Sequence, residues 1–144
     1  MAAVAEETLE VILAHIRARL SPLAIYVFGS QATGQAQPGS DLDLAVLGPA
    51  PYDPWTLFML SEELVSLQEH YPQNGPLSEL DLLDLNVAPP ALQASIVTQG
   101  RRVFCANRPR CDLFEIRALK EYCYLQDERR PILEDIRRRG RIYG

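Results

Sequence analysis

Two aspartates one residue apart, preceded by a Gly-Ser pair, form the segment best suited to chemistry. Gly29-Ser30 is followed after ten residues by Asp41-Leu42-Asp43, and an apolar run lies on each side. On a β-strand, residues i and i+2 point to the same face, so Asp41 and Asp43 project together. Two like charges this close repel each other unless a cation neutralises them. The pattern therefore predicts a site for a hard divalent cation.

Magnesium and a phosphate group suit this pattern. Mg²⁺ binds one or two carboxylates together with phosphate oxygens and keeps several waters. Glycine lets the backbone approach a phosphate closely, and the Ser30 hydroxyl and nearby backbone N–H groups can donate hydrogen bonds to it. We therefore expect Asp41 and Asp43 to hold Mg²⁺ that coordinates a triphosphate, and Gly29 and Ser30 to hold the phosphates.

A third carboxylate would complete a site for two metal ions. Asp81 and Asp84 lie in the apolar stretch 80–85, on opposite faces of the expected strand, and Glu79 shares the Asp81 face. Periodicity alone does not choose among them.

The spacing of apolar residues and the turn residues predict the elements that position these side chains. In the first half of the chain we expect a helix at 5–20, strands at 23–28 and 42–47, and a helix at 54–68 that Asp53 caps. A strand at 80–85 follows, then a helix that begins at Pro89 or Pro90 and ends at Gly100, and an edge strand at 102–105. The last element is a helix at 112–139, which Pro131 kinks or divides. This order predicts an α/β (α+β) fold, in which helices flank a mixed sheet of about four strands. The core would span residues 1–108, with a C-terminal helical extension of the same domain at 109–144.

Composition and charge limit the class of protein. The 144 residues are 47% hydrophobic and 23% charged, as expected for one soluble globular domain. No apolar run approaches the roughly 18 residues that cross a membrane, and the acidic N-terminus does not resemble a secretory signal. Three cysteines without CxxC spacing favour a reducing, cytoplasmic compartment.

The charge is divided unevenly between the body and the C-terminal part of the chain. Residues 1–100 carry a net charge of −10 and residues 101–144 a net charge of +5, which gives −5 in total. The basic part suggests either a binding arm or a helix that forms salt bridges with an acidic body. The acidic total argues against a general nucleic-acid binder.

These motifs resemble the DNA polymerase β-like nucleotidyltransferase superfamily, whose signature is GS-x(10)-D-x-D with a third acidic residue on a later strand. Within it, the chain is most similar to the minimal nucleotidyltransferases (MNT) that act as antitoxins beside HEPN-domain RNases. The similarity is carried by "FGSQATG", "SDLDLAVL", "ELDLLDLNVAPPALQASIVTQGRRVF" and the tail "LFEIRALKEYCYLQDERRPILEDI". It implies the polymerase β-like fold, and it identifies Asp81 as the third aspartate.

The resemblance also implies an activity. The family transfers AMP from ATP to a tyrosine of the HEPN toxin, which is the protein substrate and complex partner. Asp41, Asp43 and Asp81 would be the catalytic metal ligands for two Mg²⁺ ions, and Gly29 and Ser30 would bind the nucleotide. No direct contact with nucleic acid or membrane is expected.

Two other functions compete with this one. The chain could neutralise the toxin by direct binding, with a vestigial nucleotide site, although such binding would not require the Gly-Ser pair and three aspartates. It could also be an adenylyltransferase for small molecules, but those enzymes usually carry a further substrate domain.

Some side chains remain without a decided role. Arg101, Arg102 or the pair Arg129-Arg130 could contact phosphate, because guanidinium groups suit it, and the sequence does not choose among them. On the tail helix, we predict that Tyr122, Tyr124 and Leu125 belong to the core rather than to an interface.

Overall fold

The structure is a computed structural model that describes residues 6–29, 42–68 and 80–139. Ser30, Asp41 and Glu79 lie outside the described residues. The elements, in chain order, are α1 (Glu6–Leu20), β1 (Ala24–Phe28), β2 (Leu42–Leu47), α2 (Pro54–Gln68), β3 (Leu80–Asp84), α3 (Pro90–Gln99), β4 (Arg101–Cys105) and α4 (Arg108–Arg139). The predicted order of helices and strands is confirmed.

Within the described ranges, four strands form one mixed sheet in the order β3-β2-β1-β4. β1 pairs antiparallel with both β2 and β4, whereas β2 and β3 are parallel. The predicted fold class is therefore confirmed, and β4 lies at an edge of this sheet as expected.

Alternating side chains on the strands supply two separate cores, as the two-residue period requires. One face packs against α1 and α2, through a cluster that includes Ile12, Ile16, Ile25, Val27, Leu42, Leu44, Val46, Leu60 and Leu64. The opposite face packs against α3 and α4, through Ala24, Tyr26, Ala45, Leu47, Leu85, Ala88, Ile96 and Cys111. On β2, Asp43 occupies every second position together with Ala45 and Leu47 of the second cluster. Its side chain therefore points to the same face as theirs, the face of α3 and α4.

α4 differs from its prediction at its start, while its last described residue, Arg139, is the one predicted. It begins at Arg108 rather than at residue 112, because Asn107 Oδ1 accepts a hydrogen bond from the Arg110 backbone N–H at 3.2 Å. Pro109 fits in the first turn, where the missing N–H costs nothing. The helix continues through Pro131 to Arg139, so of the two predicted effects of Pro131 the start of a second helix is wrong, and a kink stays a prediction. The division into 1–108 and 109–144 stays a prediction.

A polar network holds α4 against the sheet. The Tyr26 hydroxyl donates to the Glu115 carboxylate at 2.6 Å, and Arg102 donates to Glu115 at 2.7 Å and to Asp112 at 3.0 Å. Burial, reinforced by Glu115, raises the pKa of Tyr26 well above its ordinary value, so this hydroxyl stays a donor. The ion pairs thus join residues within the segment 101–144, and the hydrogen bond between Tyr26 and Glu115 ties its helix to the body of the chain.

Further along α4, side chains leave the core. Tyr124 is 56% exposed, so its predicted core position is wrong, while Tyr122 and Leu125 are half-buried. The reason is geometric: the helix has 32 residues and a length of about 48 Å, more than the sheet beneath it can cover. Within the described residues, no helix is long and apolar enough to cross a membrane.

Gly100 ends α3, but not in the left-handed conformation expected of a residue just after a helix. Its backbone is extended, with φ −79° and ψ 177°. A Cβ there would lie 3.0 Å from the Val27 carbonyl oxygen and even closer to that of Ile96. Glycine is needed because helix and strand backbones meet at this point.

Candidate active site

The parallel pairing of β2 with β3 brings two of the predicted carboxylates together. Asp43 and Asp81 are direct partners in this register. Adjacent strands are about 4.8 Å apart, and partnered residues point to the same face. Asp81, Leu83 and Leu85 occupy every second position and so share one face, and the two leucines pack on the face of α3 and α4. Both carboxylates therefore belong to that face. Asp43 is half-buried and Asp81 is exposed.

Gly29 lies directly against the Asp43 carboxylate. It follows β1, whose last residue, Phe28, is the antiparallel partner of Asp43. Its φ is +71°, a left-handed value that glycine adopts readily, and a Cβ at this position would lie 2.5 Å from Asp43 Oδ2. The sequence predicted a phosphate-binding role for this glycine. The structure adds that only glycine leaves room for the carboxylate.

The described part of the chain contains two of the three predicted metal ligands, Asp43 and Asp81. Asp41 and Ser30 lie outside the described residues, and within the described ranges no three His, Cys, Asp or Glu side chains are arranged to hold a metal ion. The two described carboxylates, Asp43 and Asp81, already suit Mg²⁺ without further ligands, because they offer hard oxygen atoms from neighbouring strands and Asp81 is open to solvent.

Asp84, the alternative third carboxylate, has a different environment. It is 6% exposed, and its oxygens accept hydrogen bonds from the backbone N–H groups of Tyr52 at 2.8 Å and Asn86 at 3.0 Å. The side chain of Asp84 points to the same face of the sheet as Leu82, which is the face opposite Asp43. These contacts join the segment before α2 to the end of β3. They favour Asp81 as the third aspartate, and that assignment stays a prediction.

We expect the two aspartates to respond differently to removal. Asp84→Ala leaves two backbone donors without their acceptor, so the free energy of unfolding should fall by about 2–4 kcal/mol. Asp81→Ala removes an exposed carboxylate and should change it by less than about 0.5 kcal/mol. Urea denaturation of both variants measures the difference. Equal losses would contradict the structural role assigned to Asp84.

The arginines that the sequence offered as phosphate ligands contribute little to this face. Arg102 is held by two carboxylates of α4, which raise its pKa further above an already high value. Arg101 is exposed at the start of β4, but it pairs with Val27 and so belongs to the face of α1 and α2. The side chains of Arg129 and Arg130 lie outside the described part of the chain.

A groove beside Asp81 was not predicted. It has a volume of about 330 Å³ and lies between α2 and β3, where Phe58, Leu82 and Val87 line it together with Asp81. Phe58 and Val87 are largely exposed. The first turns of α2 read "PWTLFML", apolar except for Thr56, so the sequence does not indicate which of these apolar residues face solvent.

Comparison with known proteins decides the family. A family model described as polymerase beta, nucleotidyltransferase, matches residues 10–109, which include both β2 and β3. The chain belongs to the polymerase beta nucleotidyltransferase family. This nucleotidyltransferase is also 32% identical over 112 residues to the protein adenylyltransferase MntA of Shewanella oneidensis, which covers 78% of this chain and 74% of MntA.

Solved structures give the same result for the nucleotidyltransferase as a whole. A crystal structure of a toxin–antitoxin with AMP-PNP matches with a TM-score of 0.74 and 29% identity, over 92% of this chain and 98% of that one. A tri-AMPylated Shewanella oneidensis HEPN toxin in complex with its MNT antitoxin matches with a TM-score of 0.71 and 27% identity, over 91% and 97%. The resemblance to MNT antitoxins is confirmed.

Proposed function

We propose that this nucleotidyltransferase is an antitoxin that transfers AMP from ATP to a tyrosine of a cognate HEPN RNase toxin. The observation that carries the proposal is the pairing of Asp43 with Asp81 across β2 and β3, with Gly29 packed against Asp43. Neutralisation by contact alone does not require such a constellation. The reaction would take place in the cytoplasm, where ATP and Mg²⁺ are available.

The relatives support the donor, the acceptor and the partner. AMP-PNP, present in one similar toxin–antitoxin structure, is an ATP analogue, and the HEPN toxin in another carries AMP groups. Both structures match this chain over more than nine-tenths of its length.

Two groups of residues in this chain bind the nucleotide, one through its phosphates and the other through metal ions. Gly29 and Ser30 hold the β- and γ-phosphates through backbone N–H groups and the serine hydroxyl. Asp41, Asp43 and Asp81 would hold two Mg²⁺ ions, which would supply positive charge to neutralise the triphosphate and the charge that develops in transfer.

Transfer itself is an in-line displacement. The toxin's tyrosine oxygen forms a bond to the α-phosphorus, the bond to the β-phosphate oxygen breaks, and pyrophosphate leaves. A free phenol has a pKa of about 10, so its proton must depart as the bond forms. Asp81, exposed at the edge of the site, orients the hydroxyl and lets the proton pass to water.

The test uses the purified chain and the product of a neighbouring gene that encodes a short helical protein with Arg-x(4–6)-His-x-Tyr. We expect RNase activity to fall only when Mg-ATP is present, and the mass of the toxin to rise by whole AMP units. An ATP analogue with an uncleavable α,β bridge is the control and should not inactivate the toxin. Inhibition that ignores the nucleotide would favour direct binding instead.

A further inference from the structure

The groove beside Asp81 carries apolar side chains that the fold does not use. Phe58 and Val87 line it and are 52% and 63% exposed, and Trp55, itself 65% exposed, stacks on Phe58 with ring centroids 5.5 Å apart. A solvated helix surface would carry polar residues at these positions. Exposed apolar side chains that cluster at a concave surface typically mark an interaction site.

The walls of this groove are held in place by hydrogen bonds. Asp84 accepts a hydrogen bond from the Tyr52 backbone, and the Tyr52 hydroxyl donates to the Leu20 carbonyl at 3.1 Å. Both Tyr52 and Asp84 line the groove. The groove therefore exists before any ligand arrives, which reduces the entropic cost of binding.

β3 lies at an edge of the described sheet, and the groove runs around that edge: its α2 wall belongs to the face opposite Asp43, and Asp81 lines it from the catalytic face. Gly29 follows β1, Asp43 lies on β2, and Asp81 lies on β3, next to the groove. In an in-line displacement, the entering oxygen and the departing pyrophosphate lie on opposite sides of the phosphorus. If Gly29 holds the phosphate tail, the entering hydroxyl approaches from the side of β3.

We propose that this groove, called the acceptor groove and formed by Phe58, Leu82, Val87 and Asp81, binds the apolar segment that carries the acceptor tyrosine of the partner toxin. The inference rests on the proposed function and specifies where its protein substrate docks. A volume of about 330 Å³ suits one aromatic side chain with its neighbours. The Phe58 ring offers an edge or a face to the tyrosine ring.

The experiment compares Phe58→Ala with Tyr124→Ala, a matched variant in which an aromatic ring of similar exposure (56%) is removed from α4. Phe58→Ala should lower kcat/KM for the toxin by about tenfold or more, because exposed aromatic anchors dominate interface energies. Tyr124→Ala should stay within about twofold of wild type. Affinity for Mg-AMP-PNP, measured by calorimetry without toxin, should be unchanged in both variants.

A second pair of variants separates packing from loss of the fold. Phe58→Tyr keeps the ring and should recover part of the kcat/KM that Phe58→Ala loses, while Val87→Ser should reproduce part of the loss. Circular dichroism and thermal unfolding check that every variant is folded.

Each outcome decides between the two proposals. If Phe58→Ala behaves like Tyr124→Ala, the acceptor groove is wrong although AMP transfer stands. A parallel loss of Mg-AMP-PNP affinity would mean that the groove binds the nucleotide base, which also overturns the inference. Wild-type chain that fails to modify the toxin overturns the proposed function, and the docking site with it.

Discussion

Asp43→Asn is expected to reduce AMP transfer by at least about a thousandfold while the chain remains folded. The amide keeps the size of the carboxylate but loses the negative charge that attracts Mg²⁺. Asp43 and its partner Asp81 lie on adjacent strands, so the substitution halves the negative charge that this pair offers to a cation.

Thermal unfolding with and without Mg²⁺ tests this explanation separately from activity. A ligand that binds only the folded state raises the unfolding temperature, so Mg²⁺ should stabilise the wild type and have little effect on Asp43→Asn. Asp53→Asn is the matched control. Asp53 Oδ1 accepts a hydrogen bond from the Trp55 backbone at the start of α2, and asparagine caps helices equally well. A folded Asp43→Asn variant with full activity would exclude the proposed metal site.

Local signals in the sequence were sufficient for most element boundaries. β2 was predicted at the residues where it occurs, because its apolar run is bounded by polar residues and a Gly-Pro pair. The start of α4 was missed although Asn107 and Pro109 together form a local helix-start signal.

The choice between Asp81 and Asp84 as the third carboxylate could not be made from the local sequence pattern. Periodicity put Asp81 and Asp84 on opposite faces, but the choice depends on which strand lies beside β2 and in which register. Register is a non-local property, set by how both faces of the sheet pack. Once β3 is parallel to β2, Asp81 is the partner of Asp43, and Asp84 is left to bind backbone N–H groups.

The same limit explains why the acceptor groove was not foreseen. Trp55, Phe58 and Leu57 are all apolar and occupy the first turns of one helix, yet only Leu57 is buried, at 7% exposure. Which side of α2 meets the core depends on the sheet, and the sequence pattern of a mostly apolar turn does not reveal it. The exposed aromatics become informative only beside Asp81.

Gly29→Ala is expected to reduce AMP transfer by about a hundredfold, through displacement of a neighbouring side chain rather than loss of a ligand. The new Cβ would lie 2.5 Å from Asp43 Oδ2, so either the carboxylate or the turn must move. The φ of +71° adds strain of roughly 1–2 kcal/mol for an alanine. Initial rates of AMP transfer and urea denaturation measure the two effects separately.

Gly29→Asn distinguishes the contact from the backbone strain. Asparagine tolerates a positive φ better than alanine does, but it carries the same Cβ. We therefore expect Gly29→Asn to recover part of the stability lost in Gly29→Ala and none of the activity. If Gly29→Asn regains wild-type transfer, strain alone accounts for the glycine, and the close approach to Asp43 is not what the reaction requires.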